Sequence, residues 1–321
     1  MTKMDFTHYT IGPYRLEACR QQRPLTSLYL AHDTQQDKPV FIEVMNQPAA
    51  ADEAAASRFQ RRLETVRQIE HPFVAPILES GQTRPTPPAS HADDSPQPVV
   101  YAVIEHVAGP TLATQLDEWH ENDSWPDIPT RLGLIQELAA AFTAVHPVGI
   151  FHHDLRPAHL IMGENGRLIL IDLGVPPVPE PPVPPPDPHQ PPAQLDYASP
   201  EQQAGKPLSA ASNIYSLGVI LYELLATHRP YLPRSEWDIF ERTELPREIP
   251  LSEVRPDLTT ATHIVVKTCL WPQEWNRYET AVNLVNALEA ARQSEQQQLE
   301  KLANPGGILH SVKSFFKRDR G

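Results

Sequence analysis

Residues 150–174 read Ile-Phe-His-His-Asp-Leu-Arg-Pro-Ala-His-Leu-Ile-Met-Gly-Glu-Asn-Gly-Arg-Leu-Ile-Leu-Ile-Asp-Leu-Gly. Two carboxylates, Asp154 and Asp172, stand 18 positions apart in this stretch. A carboxylate can take a proton or hold a cation. His152, His153 and His159 share the loop with Asp154, and Asp172 follows, which raises a transition-metal site. An imidazole accepts zinc or manganese but is a poor partner for magnesium, which prefers hard oxygen ligands.

The elements that must carry these side chains follow from pattern. Residues 13–45 alternate short apolar runs (Tyr14–Leu16, Ser27–Ala31, Val40–Met45) with polar turns, which predicts an antiparallel meander of three strands. Ala51 to Glu70 is rich in Ala, Arg and Glu without Pro or Gly, so it reads as a helix that His71-Pro72 ends. Two more strands are expected near Val74–Leu78 and Val99–Glu105. Between them, residues 82–98 are polar and Pro-rich and read as a mobile surface insertion. From about Thr111 the pattern turns helical. Residues 129–145, 211–226, 261–269 and 278–303 are predicted helices. The second is apolar nearly all round and belongs inside a core.

The chain has 321 residues and a net charge of −13, which argues against broad nucleic-acid binding. Its only cysteines, Cys19 and Cys269, suit a reducing compartment, with one disulfide left open. The N-terminus shows no apolar signal run. No stretch approaches the ~20 apolar residues of a membrane span, so a cytoplasmic protein is expected.

Several motifs in one order give the chain a family likeness. His152–His159 resembles the H-R-D-L-x-x-x-N catalytic loop and Asp172-Leu-Gly the D-F-G motif. Ala198–Glu201 resembles the A-P-E region, Ser212–Gly218 the D-x-Y-S-L-G helix, and Arg277 the late arginine that pairs with the A-P-E glutamate. From about Ile11 to Arg292 the chain resembles the eukaryotic-type serine/threonine protein kinases, above all their bacterial branch. The resemblance implies an α+β, bilobal protein-kinase fold. A small antiparallel-sheet N-lobe with one main helix would occupy 11–107, with the insertion at 82–98. A larger, mostly helical C-lobe would occupy 108–293, with a Pro-rich activation segment at 175–193. Residues 1–10 would be an N-terminal extension and 294–321 a helical extension with a tail. It also implies ATP with Mg2+ or Mn2+ as cofactors if activity is retained. Asp154 would then be the base, Arg156 the group near the γ-phosphate, and Asp172 with His159 the metal side. Glu201, Arg277 and Asn213 take structural places.

The departures bear on charge and space. The three glycines that let a backbone approach phosphates fall on Gln21, Arg23 and Thr26. Arg23 could reach a phosphate with its side chain; the plainer reading is a polar hairpin. The phosphate-holding lysine is Glu43, which repels a triphosphate. Phe41 stands where the family has a small residue and, with Leu28 and Ile104, would fill the purine site. Nine residues before His71 the family's helix glutamate is Arg62, so an inverted, bidentate Glu43–Arg62 pair is expected. His153 replaces the loop arginine and His159 the metal-binding asparagine.

Residues 176–192 hold eleven prolines, and Leu173 to Asp196 contains no Ser, Thr or Tyr, so phosphorylation cannot activate this loop. The run favours polyproline II and is either a partner-docking segment or a spacer. In the tail, Ile308, Val312, Phe315 and Phe316 share a helix face beside Lys313, Lys317, Arg318 and Arg320. Residues 308–320 therefore suit a peripheral membrane or a partner groove, or else fray. Taken together, the reading is a kinase-like domain without catalysis, requiring no cofactor and serving protein partners as a scaffold or allosteric module. The alternative is a weak serine/threonine kinase using Asp154 and Asp172.

Overall fold

The computed structural model describes residues 4–23, 25–46, 52–91, 95–174, 196–231 and 249–303. The proline run and the basic tail lie outside the described residues, as does Pro24. The chain divides into two compact units, Met1–Thr114 with Ala141–Asp187, and Gln115–Ala140 with Pro188–Gly321.

The first unit is built on a six-stranded antiparallel sheet. Its strands are β1 (Thr10–Ile11), β2 (Tyr14–Gln22), β3 (Thr26–Asp33), β4 (Lys38–Met45), β5 (Ile77–Thr83) and β6 (Val99–Glu105), in the order β1-β2-β3-β4-β6-β5. The meander expected over 13–45 is β2 to β4. Strand pleating sends alternate residues to opposite faces. Tyr29, Ala31, Val40, Ile42, Val44, Tyr101 and Val103 line one face and share a core with Phe6, Tyr9, Ile11 and Leu16. The segment expected as an N-terminal extension therefore supplies core aromatics, and the Phe6 amide donates to the Tyr29 hydroxyl at 3.0 Å. The strand expected at Val74–Leu78 runs instead from Ile77 to Thr83, with a register shift at Ile77/Glu79 that obscures its alternation. Residues 82–98 thus give Gln82 and Thr83 to β5, and Thr86 exchanges backbone hydrogen bonds with Thr10.

Helix α1 (Glu53–Arg67) follows β4. Asp52 caps it, accepting from the amides of Ala54 and Ala55 at 2.9 and 3.1 Å. Its buried face carries Phe59, Leu63 and Val66. A hairpin, β7 (Leu160–Met162) and β8 (Leu168–Leu170), completes the first unit and joins the segment after α1 through a bridge from Val74 to Leu170. It delivers Asp154 and Asp172 on its two flanks.

Helix α2 (Leu112–Glu121) and helix α3 (Ile128–Val145) each run across a division between the units. The second unit adds α4 (Pro200–Gln203), α5 (Ala210–Ala226), α6 (Leu251–Val254), α7 (Thr260–Cys269) and α8 (Ala281–Ala303). Helix α5 is buried on nearly every side, as its apolar composition predicts. Its C-terminal carbonyls are met by two cations. Arg131 donates to the Leu224 carbonyl at 2.9 Å, and Arg255 donates to that of Leu225. Positive charge at this end complements the helix dipole. Cys19 and Cys269 are both free thiols.

Candidate functional site

The site lies within the first unit and starts from sheet register. Phe41 faces Ile104 across β4 and β6, and Leu28 faces Glu43 across β3 and β4. These four residues therefore share the sheet face opposite the aromatic core. Leu28 and Ile104 are buried; Phe41 is half-buried and stacks on His106, with ring centroids 4.9 Å apart. Phe41 thus spends one ring face on His106.

Glu43 is fully buried. Its partner comes from the β2–β3 connection. Arg23 donates through Nη1 to Glu43 Oε1 at 3.2 Å, and through Nη2 to Asp172 Oδ2 and to Gln21 Oε1, the last at 2.6 Å. One guanidinium therefore spans the two carboxylates. Burial pushes the Glu43 pKa up to about 6; Arg23 opposes that shift and Asp172 reinforces it. Among the described residues Glu43 Oε2 has no hydrogen-bond partner and Arg23 is the cation in direct ionic contact with the carboxylate.

The connection is held shut by its own backbone. The Arg23 amide donates to the Thr26 carbonyl at 2.8 Å. Buried Asn46, just past β4, donates to the Arg23 carbonyl at 2.8 Å and accepts from Ser27 Oγ at 2.8 Å. Its own amide donates to the Leu25 carbonyl at 2.7 Å. Where a glycine-rich loop would leave room for phosphates, this loop is hydrogen-bonded closed.

The histidines are committed to the protein. Asp154's carbonyl lies 2.6 Å from His159 Nδ1, which makes that nitrogen the donor, while Nε2 lies 3.4 Å from the Gln21 side-chain amide and 3.5 Å from Asp172 Oδ2. His152 donates through Nε2 to the Ile171 carbonyl at 2.9 Å and accepts the Asp154 amide on Nδ1 at 3.2 Å. Burial holds His152 well below the usual imidazole range. Burial and the Arg62 charge push His153 down to about 3. No group of three or more His, Cys, Asp or Glu among the described residues could hold a metal ion. Among the described residues the histidine site raised from sequence does not form: the His152 and His159 rings both bond backbone. Magnesium fares no better, since the Asp172 carboxylate already faces a guanidinium. Asp154 is the open member, a third exposed, with Arg156 Nε 3.1 Å from its Oδ2.

The expected Glu43–Arg62 pair is corrected. Arg62 donates through Nε to the Leu173 carbonyl at 3.2 Å and through Nη2 to the Phe151 carbonyl at 3.0 Å. Burial lowers its pKa to about 10, opposed by the Glu43 charge. Glu43 is neutralised by Arg23 instead, which frees Arg62 to tie α1 to the backbone on either side of Asp154 and Asp172. A triphosphate therefore does not fit these residues: the lysine position is an acid, and the nearest cation bridges two carboxylates.

In the second unit, Arg277 meets Glu201 bidentately at 2.7 and 2.9 Å, and Ser212 Oγ donates to Glu201 Oε1 at 2.7 Å. Burial would raise the Glu201 pKa, but Arg277 and Ser212 outweigh it and hold it at about 2. Asn213 is fully buried on α5. One group had no signal in the sequence pattern. Burial pushes Glu223 up to about 7, with Asp117 adding to the shift, while the Tyr197 hydroxyl donates to its carboxylate at 2.6 Å.

The sequence profile described as "Protein kinase domain" matches residues 25–295. Among curated proteins, the serine/threonine-protein kinase PknB of Mycobacterium leprae is 25% identical over 260 residues, 81% of this chain and 40% of that protein. The probable serine/threonine-protein kinase SCO3848 of Streptomyces coelicolor is 25% identical over 281 residues, 87% of this chain and 40% of that protein. This chain thus spans about 40% of the length of these relatives. Among solved structures, the kinase domain of Mycobacterium tuberculosis PknI superposes with a TM-score of 0.62 at 19% identity, covering 89% of this chain and 98% of that one. With a curled antiparallel sheet in one unit, a helical second unit and the motifs in kinase order, the chain belongs to the protein kinase domain family, in its bacterial serine/threonine branch.

Proposed function

We propose that this kinase-like domain transfers no phosphate and acts as a scaffold or allosteric binding module for protein partners, without ATP or a metal as cofactor. The observation that carries the reading is the Arg23 bridge between Glu43 and Asp172. Phosphoryl transfer is chiefly positioning and charge neutralisation. Here the positions that would neutralise a triphosphate and its metal neutralise each other. Arg62 supports the same reading, because it holds α1 through backbone carbonyls and needs no nucleotide to do so. No helix among the described residues is long and apolar enough to cross a membrane.

The second reading, a weak serine/threonine kinase, is favoured by the part-exposed Asp154 beside Arg156. Thermal unfolding of the purified protein with millimolar ATP in magnesium, manganese or EDTA separates the two. A ligand of the folded state stabilises it by about 2.7 kcal/mol at a hundredfold excess over Kd. The expected result is an unchanged midpoint under every condition. A metal-dependent rise would overturn the nucleotide-free reading, and phosphotransfer that Asp154→Asn abolishes would establish the second.

A further inference from the structure

The second unit shows an aromatic face that the site does not use. Ile264 on α7 is 55% exposed, and Trp271 and Trp275 in the loop after it are 38% and 82% exposed. Ile264 and Lys267 fall at i and i+3 on α7, and Lys267 Nζ lies 5.9 Å from the Trp271 ring centroid.

The indoles are displayed by a locked loop. Arg277 donates through Nε to the Trp271 carbonyl at 2.7 Å and through Nη2 to the Pro272 carbonyl at 3.0 Å. The same guanidinium is anchored on Glu201. A single 3-10 turn, Glu274–Asn276, carries Trp275 and is pinned by the Ser209 hydroxyl, which donates to Glu274 Oε2 at 3.1 Å. Holding two indoles toward solvent on a fixed backbone is unfavourable for an isolated chain. It suits a preformed binding surface, where aromatic anchors dominate and little order remains to be lost.

Exposed aromatic rings suit the proline rings of a polyproline II segment, a form that is extended before it binds. The chain's own sequence contains a segment of the composition that favours this form. Residues 176–192 hold eleven prolines, and their acids Glu180 and Asp187 are opposite in sign to Lys267. We propose that Ile264, Lys267, Trp271 and Trp275 form a docking face for a proline-rich segment, and that its occupant is residues 176–192 of a second copy of this chain. The assignment is independent of whether the domain transfers phosphate.

The test uses the full chain and a labelled synthetic peptide of residues 175–193. Anisotropy should show the peptide binding, with Trp275→Ala weakening it about tenfold or more. Sedimentation velocity should show self-association that falls in the same variant and that excess unlabelled peptide reverses. Trp275 is so exposed that its removal should leave the unfolding midpoint unchanged, which separates lost docking from lost folding. Equal binding to the wild type and Trp275→Ala, or no binding at high micromolar protein, would overturn the docking face. Trp275-dependent peptide binding by a chain that stays monomeric would overturn the second-copy occupant.

Discussion

Arg23 and Glu43 form a buried pair in which each depends on the other. Removing one member of such a pair leaves the other charge without compensation, a loss of about 3–5 kcal/mol. Arg23→Ala should therefore lower the urea midpoint strongly, since it strands Glu43 and Asp172 together. Adding Glu43→Gln to that variant should recover much of the loss; if it does not, the bridge is not what stabilises the loop. Glu223 sets a second residue-level expectation. Its folded pKa is raised from 4.5 to about 7. The folded state therefore binds the extra proton, a contribution fully present below about 4.5 and lost as pH rises through about 7. Against Glu223→Gln, the wild type should lose stability across that window, measured by denaturant midpoints at each pH. At this scale, Glu43 and Phe41 are legible in sequence because a strand repeats every two residues and the motif sets its phase. Arg62 is legible as inward-facing, but not its acceptors. Which of two cations a carboxylate takes depends on how far a loop reaches, and periodicity carries no such information.

Elements are legible in the sequence where one pattern dominates. Helix α5 announces itself by a continuous apolar run, and β2 to β4 by alternation. The start of strand β5 is hidden in the sequence because its bulge interrupts alternation. Close helix packing is less visible in sequence. A Cβ added at Gly218 on α5 would come within 2.5 Å of Cys269 Cβ on α7. Gly218→Ala must then push α7 away, and overpacking of this kind typically costs about 1–3 kcal/mol. A calorimetric midpoint at or above the wild type would show that α7 yields freely. The N-terminus of α7 is held from α8. Buried Glu295 accepts from the Thr259 amide at 2.8 Å, the Thr259 hydroxyl at 2.8 Å and the Thr262 hydroxyl at 2.5 Å. No local motif links residues so far apart, so this cap had to be seen.

Across the whole molecule, the two charge clusters fall in different units. The Arg23 bridge and the Arg62 tethers belong to the first, the Glu201–Arg277 pair to the second. Native-state opening proceeds in contiguous cooperative parts. Hydrogen exchange should therefore show Arg23→Ala loosening β2, β3 and β4 while α5 keeps its protection, and Glu201→Gln doing the reverse. Uniform loss of protection in either variant would mean that the chain opens as one cooperative body. Family membership was legible at this scale because motif order spans most of the chain. The fate of the chemistry was legible only in part, since exchanged charges reveal their new partners in three dimensions.

The interlocking of Arg23, Glu43 and Asp172 also limits how the charges of this site can be changed. Glu43→Lys alone would set a lysine beside Arg23 and leave Asp172 between two cations. Replacing Arg23 alone would leave two acids face to face. Charge changes at the two positions are therefore expected to be tolerated only together, and the Asn46 clamp would still keep the loop closed. The three side chains therefore behave as one unit: a change of charge at Arg23 or at Glu43 calls for a matching change at the other.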